Sequence, residues 1–152
     1  MRFFAPIFLL LLLTAPALSQ SAVPATDDYS GMYTFLRDGE FIQVTIEEEG
    51  RVSGFISRFG DSDADKNEFL DQFFESGKLD SGHLTFTTKK VHGSWFTFDG
   101  TVGRGTAKKP EDEGYFLIRG TLTRFQTDAD KKDTTQQARR VEFKSFPRDV
   151  TP

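Results

Sequence analysis

Asp61, Asp63, Asp65 and Asn67 stand at alternate positions. Short oxygen-bearing side chains at that spacing converge on one hard cation, as they do in calcium-binding loops. The stretch departs from that pattern twice. Lys66 stands where Gly makes the sharp turn, and Gln72 where a bidentate Glu closes the site. The alternative is an ordinary acidic turn leading into a helix cap. The tetrapeptide Asp63-Ala64-Asp65-Lys66 recurs as Asp128-Ala129-Asp130-Lys131. The expected strand order puts those two loops at opposite ends, so they read as two solvated loops. No cofactor is expected beyond a calcium ion at the first loop.

A second set of residues could recognise an anion. The pattern apolar-x-Gly-x-apolar-x-Arg occurs as Val52–Arg58, Phe98–Arg104 and Ile118–Arg124. In a strand, alternate residues share a face, so each Gly and each Arg points the same way as its apolar partners. A hairpin centred on Pro110 sets Gly100 opposite Gly120, Val102 opposite Ile118 and Phe98 opposite Leu122. Arg104 then faces Phe116, and Arg124 faces Phe96. A guanidinium laid on such a ring contributes about 0.5–2 kcal/mol. Arg58 and Arg104 are expected at one rim, as the pair that would hold an anionic ligand group. The inward glycines either leave space for a ligand or let the strands bend sharply. The bending role is the stronger reading. The candidate ligand-binding residues are thus Arg58, Phe96, Phe98, Gly100, Arg104, Phe116, Gly120 and Arg124.

Other chemistry finds little support. His83 and His92, the two histidines of the chain, flank one strand and lie too far apart to share a metal. No Gly-x-Ser-x-Gly, His-Glu-x-x-His or cysteine nucleophile is present,. The carboxylates fall mostly in loops, so the sequence leans away from an enzyme. Trp95, Tyr115, Leu117 and Phe125 lie on the face opposite the glycines. They form either a patch under other elements or an exposed aromatic strip for a partner.

These residues need strands to position them. Strands are predicted over Gly31–Arg37, Phe41–Glu47, Arg51–Phe59, His83–Lys89, Trp95–Gly105, Gly114–Phe125 and Arg139–Phe146. Asp38-Gly39 is a strong turn signal. Glu48-Glu49-Gly50 suits a short loop with Gly in the left-handed position, which pairs Ile46 with Val52, Val44 with Gly54 and Ile42 with Ile56. Asn67–Ser76 places Phe69, Leu70, Phe73 and Phe74 at helical spacing, with Gly77 as a stop, and predicts a short amphipathic helix after the third strand. Residues 126–138 are polar and read as a long loop. An eighth strand is allowed for. The fold class is therefore mainly all-β, a single antiparallel up-and-down barrel or closed meander.

The organisation around that barrel is simple. Arg2 and the apolar run Phe3–Leu13 read as a signal peptide over residues 1–19, too short to span a bilayer. Residues 20–30 are a lead-in, 31–147 the barrel and 148–152 a tail. Export to a periplasmic or extracellular compartment is expected. No stable membrane span is expected after cleavage. The absence of cysteine leaves the core to hold the fold,. A net charge of −4 argues against nucleic acid as a partner,. Of seventeen phenylalanines, Phe3, Phe4 and Phe8 fall in the signal peptide, and the fourteen others, with Thr and Val in short alternating runs, favour strands,.

Gly31-x-Tyr33 on the first strand is similar to the Gly-x-Trp of lipocalins. With chain length, hairpin order and export, the chain resembles the calycin-type barrels, the lipocalin and avidin relatives. That resemblance implies a ligand-holding barrel. The expected function is an exported non-enzymatic barrel taking a small apolar or aromatic ligand in its interior. The alternative is an envelope interaction or structural protein with a packed interior. Oligomeric state is left open.

Overall fold

The computed structural model describes residues 28–61, 65, 66, 68–128 and 133–149. It contains eight strands: β1 (Gly31–Thr34), β2 (Phe41–Ile46), β3 (Val52–Phe59), β4 (Phe69–Asp80), β5 (His83–Thr88), β6 (Ser94–Arg104), β7 (Phe116–Thr127) and β8 (Thr134–Lys144). Each pairs antiparallel with the next, in chain order. The sheet curls until its edges meet at a bridge between Tyr33 and Ser145. Phe146 N adds a hydrogen bond to Met32 O at 2.9 Å. This is a calycin-like up-and-down barrel.

The expected registers hold. Ile46 pairs with Val52, Val44 with Gly54 and Ile42 with Ile56. The loop between them turns on Gly50 at φ 73° and Glu49 at φ 59°. Across β6 and β7, Gly100 faces Gly120, Phe98 faces Leu122 and Val102 faces Ile118. One-residue slips would send every apolar side chain to water, so the alternating pattern is enough to select these pairings.

The expected helix over Asn67–Ser76 is instead the start of β4. The four large apolar residues divide between two faces of a strand. Leu70 and Phe74 share the inward face with Gln72, whereas Phe69 and Phe73 point outward. Each outward ring meets a ring on β3: Phe73 lies 5.4 Å from Phe55 and Phe69 lies 4.3 Å from Phe59. Cross-strand aromatic pairs of this kind stabilise a sheet. A spacing of i, i+1, i+4, i+5 fits either period when both faces carry apolar residues. Gly77 is no stop. It sits inside β4, where a Cβ would come within 2.5 Å of Val52 O. Glu68 N bonds Asp65 O, which makes a turn there.

Two boundaries also move. β1 ends at Thr34 rather than Arg37, and β8 begins at Thr134, inside the stretch expected to be a loop. Thr134–Ala138 pair with the half-buried Thr123–Thr127 despite their polarity, and both faces of β8 are open to water there.

The interior of one half is solid. Tyr33, Ile56, Leu84, Phe98, Ile118 and Phe143 are almost fully buried there. Gly100 and Gly120 do not open a cavity among them. A Cβ on Gly100 would overlap Arg119 O and lie 2.7 Å from Gly120 Cα. The ring of Phe98 covers both glycines, with its Cζ 2.6 and 2.8 Å from the two would-be Cβ positions. The glycines let backbone approach backbone where the sheet bends, and an aromatic ring fills the volume they release.

Candidate functional site

The other half of the barrel is polar inside. β1 stops after four residues while β8 runs for eleven, so the two edges meet at one end only. Between the Leu36–Glu40 turn and β8 lies a cleft of about 280 Å³. Phe96 and Leu122 form its apolar wall, and Gln137 and Arg139 line it from β8. Arg139 pairs with the inward residue Leu122 yet stays exposed, because no strand stands across from it.

Three arginines converge at this cleft on the carboxylate of Asp61. Arg37 Nη2 donates to Oδ1 at 2.8 Å. Arg58 Nη1 and Arg124 Nη2 lie 2.7 and 3.0 Å from Oδ2. Each guanidinium is also held elsewhere. Arg58 donates from Nε to Gln72 Oε1 at 2.6 Å and from Nη1 to Phe59 O at 3.1 Å. Gln72, itself wholly buried, donates to Ser94 O at 2.9 Å and Lys89 O at 3.3 Å. Arg124 donates to Ser94 Oγ and Gln126 Oε1. Arg37 pairs with Glu40, whose side chain is buried and accepts from Phe59 N.

Arg58 is the deepest of the three, with 4% of its surface exposed. Burial pulls its pKa below the usual guanidinium value, and the Asp61 carboxylate opposes that shift,. Charged hydrogen bonds to carboxylate are the compensation that lets an arginine sit this deep.

The structure separates the expected rim pair. Arg58 and Arg124 share one end, and Arg104 is at the other. The expected order lacked β4. One missing strand reverses the direction of every strand after it, so β7, not β6, runs parallel to β3. Arg104 does lie on Phe116, at 5.7 Å, and closer to Tyr115, at 3.4 Å. Arg124 does not stack on Phe96. Arg58 does, at 5.4 Å. Of the candidate residues, Arg58, Phe96 and Arg124 line the cleft. Phe98, Gly100 and Gly120 form its packed neighbour, and Arg104 and Phe116 close the opposite end. Arg148 also lies over Phe116 there and bonds Ser30 O and Asp28 O. Gly31 makes room for it, since a Cβ would come within 3.1 Å of Arg148 Nη2. Tyr33 beside it is fully buried and donates its hydroxyl to Tyr29 O.

Sequence reading missed Arg37, Glu40, Gln72, Arg139 and Gln137. Gln72 on an otherwise apolar strand face was the one signal available, and assigning β4 as helix hid it. The same parity error affects the acidic loops: the β3–β4 and β7–β8 connections lie at one end, not at opposite ends. Asp63 and Asn67 of the acidic loop lie outside the described residues. Asp61 is bound by arginines, and Asp65 Oδ2 lies 2.8 Å from His92 Nδ1. Among the described residues no three metal-ligating side chains come together. His83 pairs with Asp99 at 3.2 Å, at the far end of β5 from His92. The expected aromatic strip divides: Trp95 stacks on Phe125 at 5.0 Å under Lys90, whereas Leu117 is buried.

An eight-stranded calycin-like barrel with a lateral polar mouth is the class these features define. Its likeness among solved structures is to avidin-type barrels. Rhizavidin shares the fold at a TM-score of 0.59 and 11% identity, over 81% of this chain and 86% of that one. The rhizavidin–biotin complex gives 0.57 and 11%, over 77% and 99%. The bradavidin2–biotin complex gives 0.52 and 14%, over 76% and 94%. No family model and no curated protein matches the sequence.

Proposed function

We propose that this chain is an exported, non-enzymatic binding barrel. It takes a small ligand with an apolar body and an anionic group into the cleft between the Leu36–Glu40 turn and β8. The observation that carries this reading is the convergence of Arg37, Arg58 and Arg124 beside the apolar wall of Phe96 and Leu122. An apolar surface supplies affinity, and a few fixed polar donors supply orientation. The fold adds to this reading, since avidin-type structures of the same architecture are biotin complexes. The ligand of this chain is placed at the lateral mouth rather than deep inside, because the other half of the barrel is filled by Phe98 and its neighbours. Arg2 and the apolar Phe3–Leu13 segment support export,.

The test is native mass spectrometry of the chain from Gln20 onward, followed by calorimetric titration with biotin and with benzoate. An adduct, or saturable heat with either acid, is expected. A bare mass together with no heat from any anion sinks the reading. A second reading, an envelope interaction protein, is favoured by the outward row Phe41, Phe55 and Phe73, of which Phe73 is 54% exposed. The same bare mass would favour it.

A further inference from the structure

We propose that Asp61 is an internal stand-in for a ligand carboxylate, and that a carboxylic acid binds by displacing it. This rests on the binding reading above and adds the ligand's chemical class and the residue it competes with.

The geometry is that of a carboxylate site already filled. One donor meets Oδ1 and two meet Oδ2, so the two oxygens of one planar group satisfy three guanidiniums,. The cradle does not depend on Asp61 for its shape. Gln72 and Phe59 O fix Arg58, Ser94 and Gln126 fix Arg124, and Glu40 fixes Arg37. When Asp61 swings out, three oriented donors remain in place. That is preorganisation for another anion.

Charge favours a replacement. Arg37, Arg58, Arg124 and Arg139 line the cleft against Glu40 and Asp61. Removing Asp61 leaves a still larger basic excess around buried Arg58. A ligand that brings its own carboxylate restores the balance.

Position favours displacement. Asp61 also lines a second cleft of about 290 Å³, whose far wall is Leu70, Val91 and His92. The two clefts share Arg58, Asp61 and Arg124. Asp61 therefore stands with Arg58 and Arg124 between them. Its side chain is 31% exposed, so it has a route to water. With Asp61 withdrawn, an acid entering from the β8 side can reach Arg58 and Arg124, which line both clefts.

An intramolecular competitor multiplies apparent affinity by the fraction of time it leaves the site free. The experiment is calorimetric titration of the chain from Gln20 onward with benzoate, phenyl phosphate and benzamide. Asp61→Asn keeps the side-chain shape but is neutral, and it should bind benzoate about tenfold tighter than the parent chain, as expected when an occupant is removed. Adding Arg124→Gln should cancel that gain. Benzamide should be unaffected. Should the parent bind benzoate and Asp61→Asn bind it no tighter, the stand-in role is overturned while the binding reading survives. Failure of parent and Asp61→Asn alike to bind any anion overturns the binding reading itself. An equal gain for phenyl phosphate overturns the carboxylate assignment. A second measurement covers poor folding. Sodium acetate should raise the melting temperature of Asp61→Ala more than equal sodium chloride does. Equal shifts, or no folding at any acetate concentration, overturn the proposal.

Discussion

Gly100 and Gly120 face each other across β6 and β7, and one ring, that of Phe98, lies over both. The contact decides what the inward glycines do. The volume released by two missing side chains is not a pocket. It is spent on close backbone approach and on a phenyl ring from two residues away.

Gly100→Val is therefore expected to destabilise the barrel by at least about 2 kcal/mol, the range of an overpacked core. The new side chain would overlap Arg119 O and press on Phe98. Urea denaturation reads the loss. A stable, folded variant that has merely lost a ligand would return these glycines to the role of pocket lining.

Gln72→Leu should cost about 3 kcal/mol, although leucine is close in size. The amide is wholly buried and serves three groups: Arg58 Nε, Ser94 O and Lys89 O. Removing it takes the acceptor from the charged Arg58 Nε and the donor from Lys89 O, while Ser94 O keeps Val91 N, and a buried charged donor left unsatisfied carries its full desolvation penalty,. Denaturant midpoints give the number. A neutral result would mean that water replaces the amide, and that the polar end is wetter than its burial implies.

Acid should loosen the start of β1. The backbone N–H of Ser30 and then its hydroxyl hold the Asp28 carboxyl below the usual carboxylate range. A depressed folded pKa stabilises above the unfolded value, about 3.9, and that stabilisation is lost as pH falls through the folded value. The effect is small, because most of the carboxylate faces water. The melting-temperature gap between the parent and Asp28→Asn should shrink as pH falls below about 4. A gap independent of pH would remove this role.

Much of the barrel was legible because short-range rules are strong in hairpins. Loop chemistry at Glu48–Gly50 and alternation in β2 and β3 were enough for that register. The same held for β6 and β7 around Pro110. The polar mouth was not legible, and one segment explains why. Phe69, Leu70, Phe73 and Phe74 satisfy a helix period and a two-faced strand period equally, and local pattern cannot choose between them. Tertiary pairing of Phe69 and Phe73 with Phe59 and Phe55 makes the choice. In an up-and-down sheet that choice is not local in its effect. It moves Arg104 and Arg124 to exchanged ends relative to Arg58. The cleft also depends on the unequal lengths of β1 and β8, and a sequence read element by element does not show which strand edges remain open.

The reversed parity makes a measurable difference between two pairs of arginines. Arg58 and Arg124 both touch Oδ2 of Asp61, whereas Arg104 lies on Tyr115 and Phe116 at the other end. In a double-mutant cycle, Arg58→Met and Arg124→Met should be non-additive by about 0.5–3 kcal/mol, as expected for residues in one ion-pair network. The sign follows from two effects that act together. Either arginine alone can still satisfy Oδ2, so the second loss is the costlier one. The two guanidiniums also repel, a contribution that lowers the Arg58 pKa, so each single loss relieves its neighbour. Both effects make the double variant less stable than the sum of the singles. Arg58→Met with Arg104→Met should instead add within about 0.5 kcal/mol, as distant sites do. Coupling of Arg58 to Arg104 and not to Arg124 would place β4 outside the sheet and restore the seven-strand order.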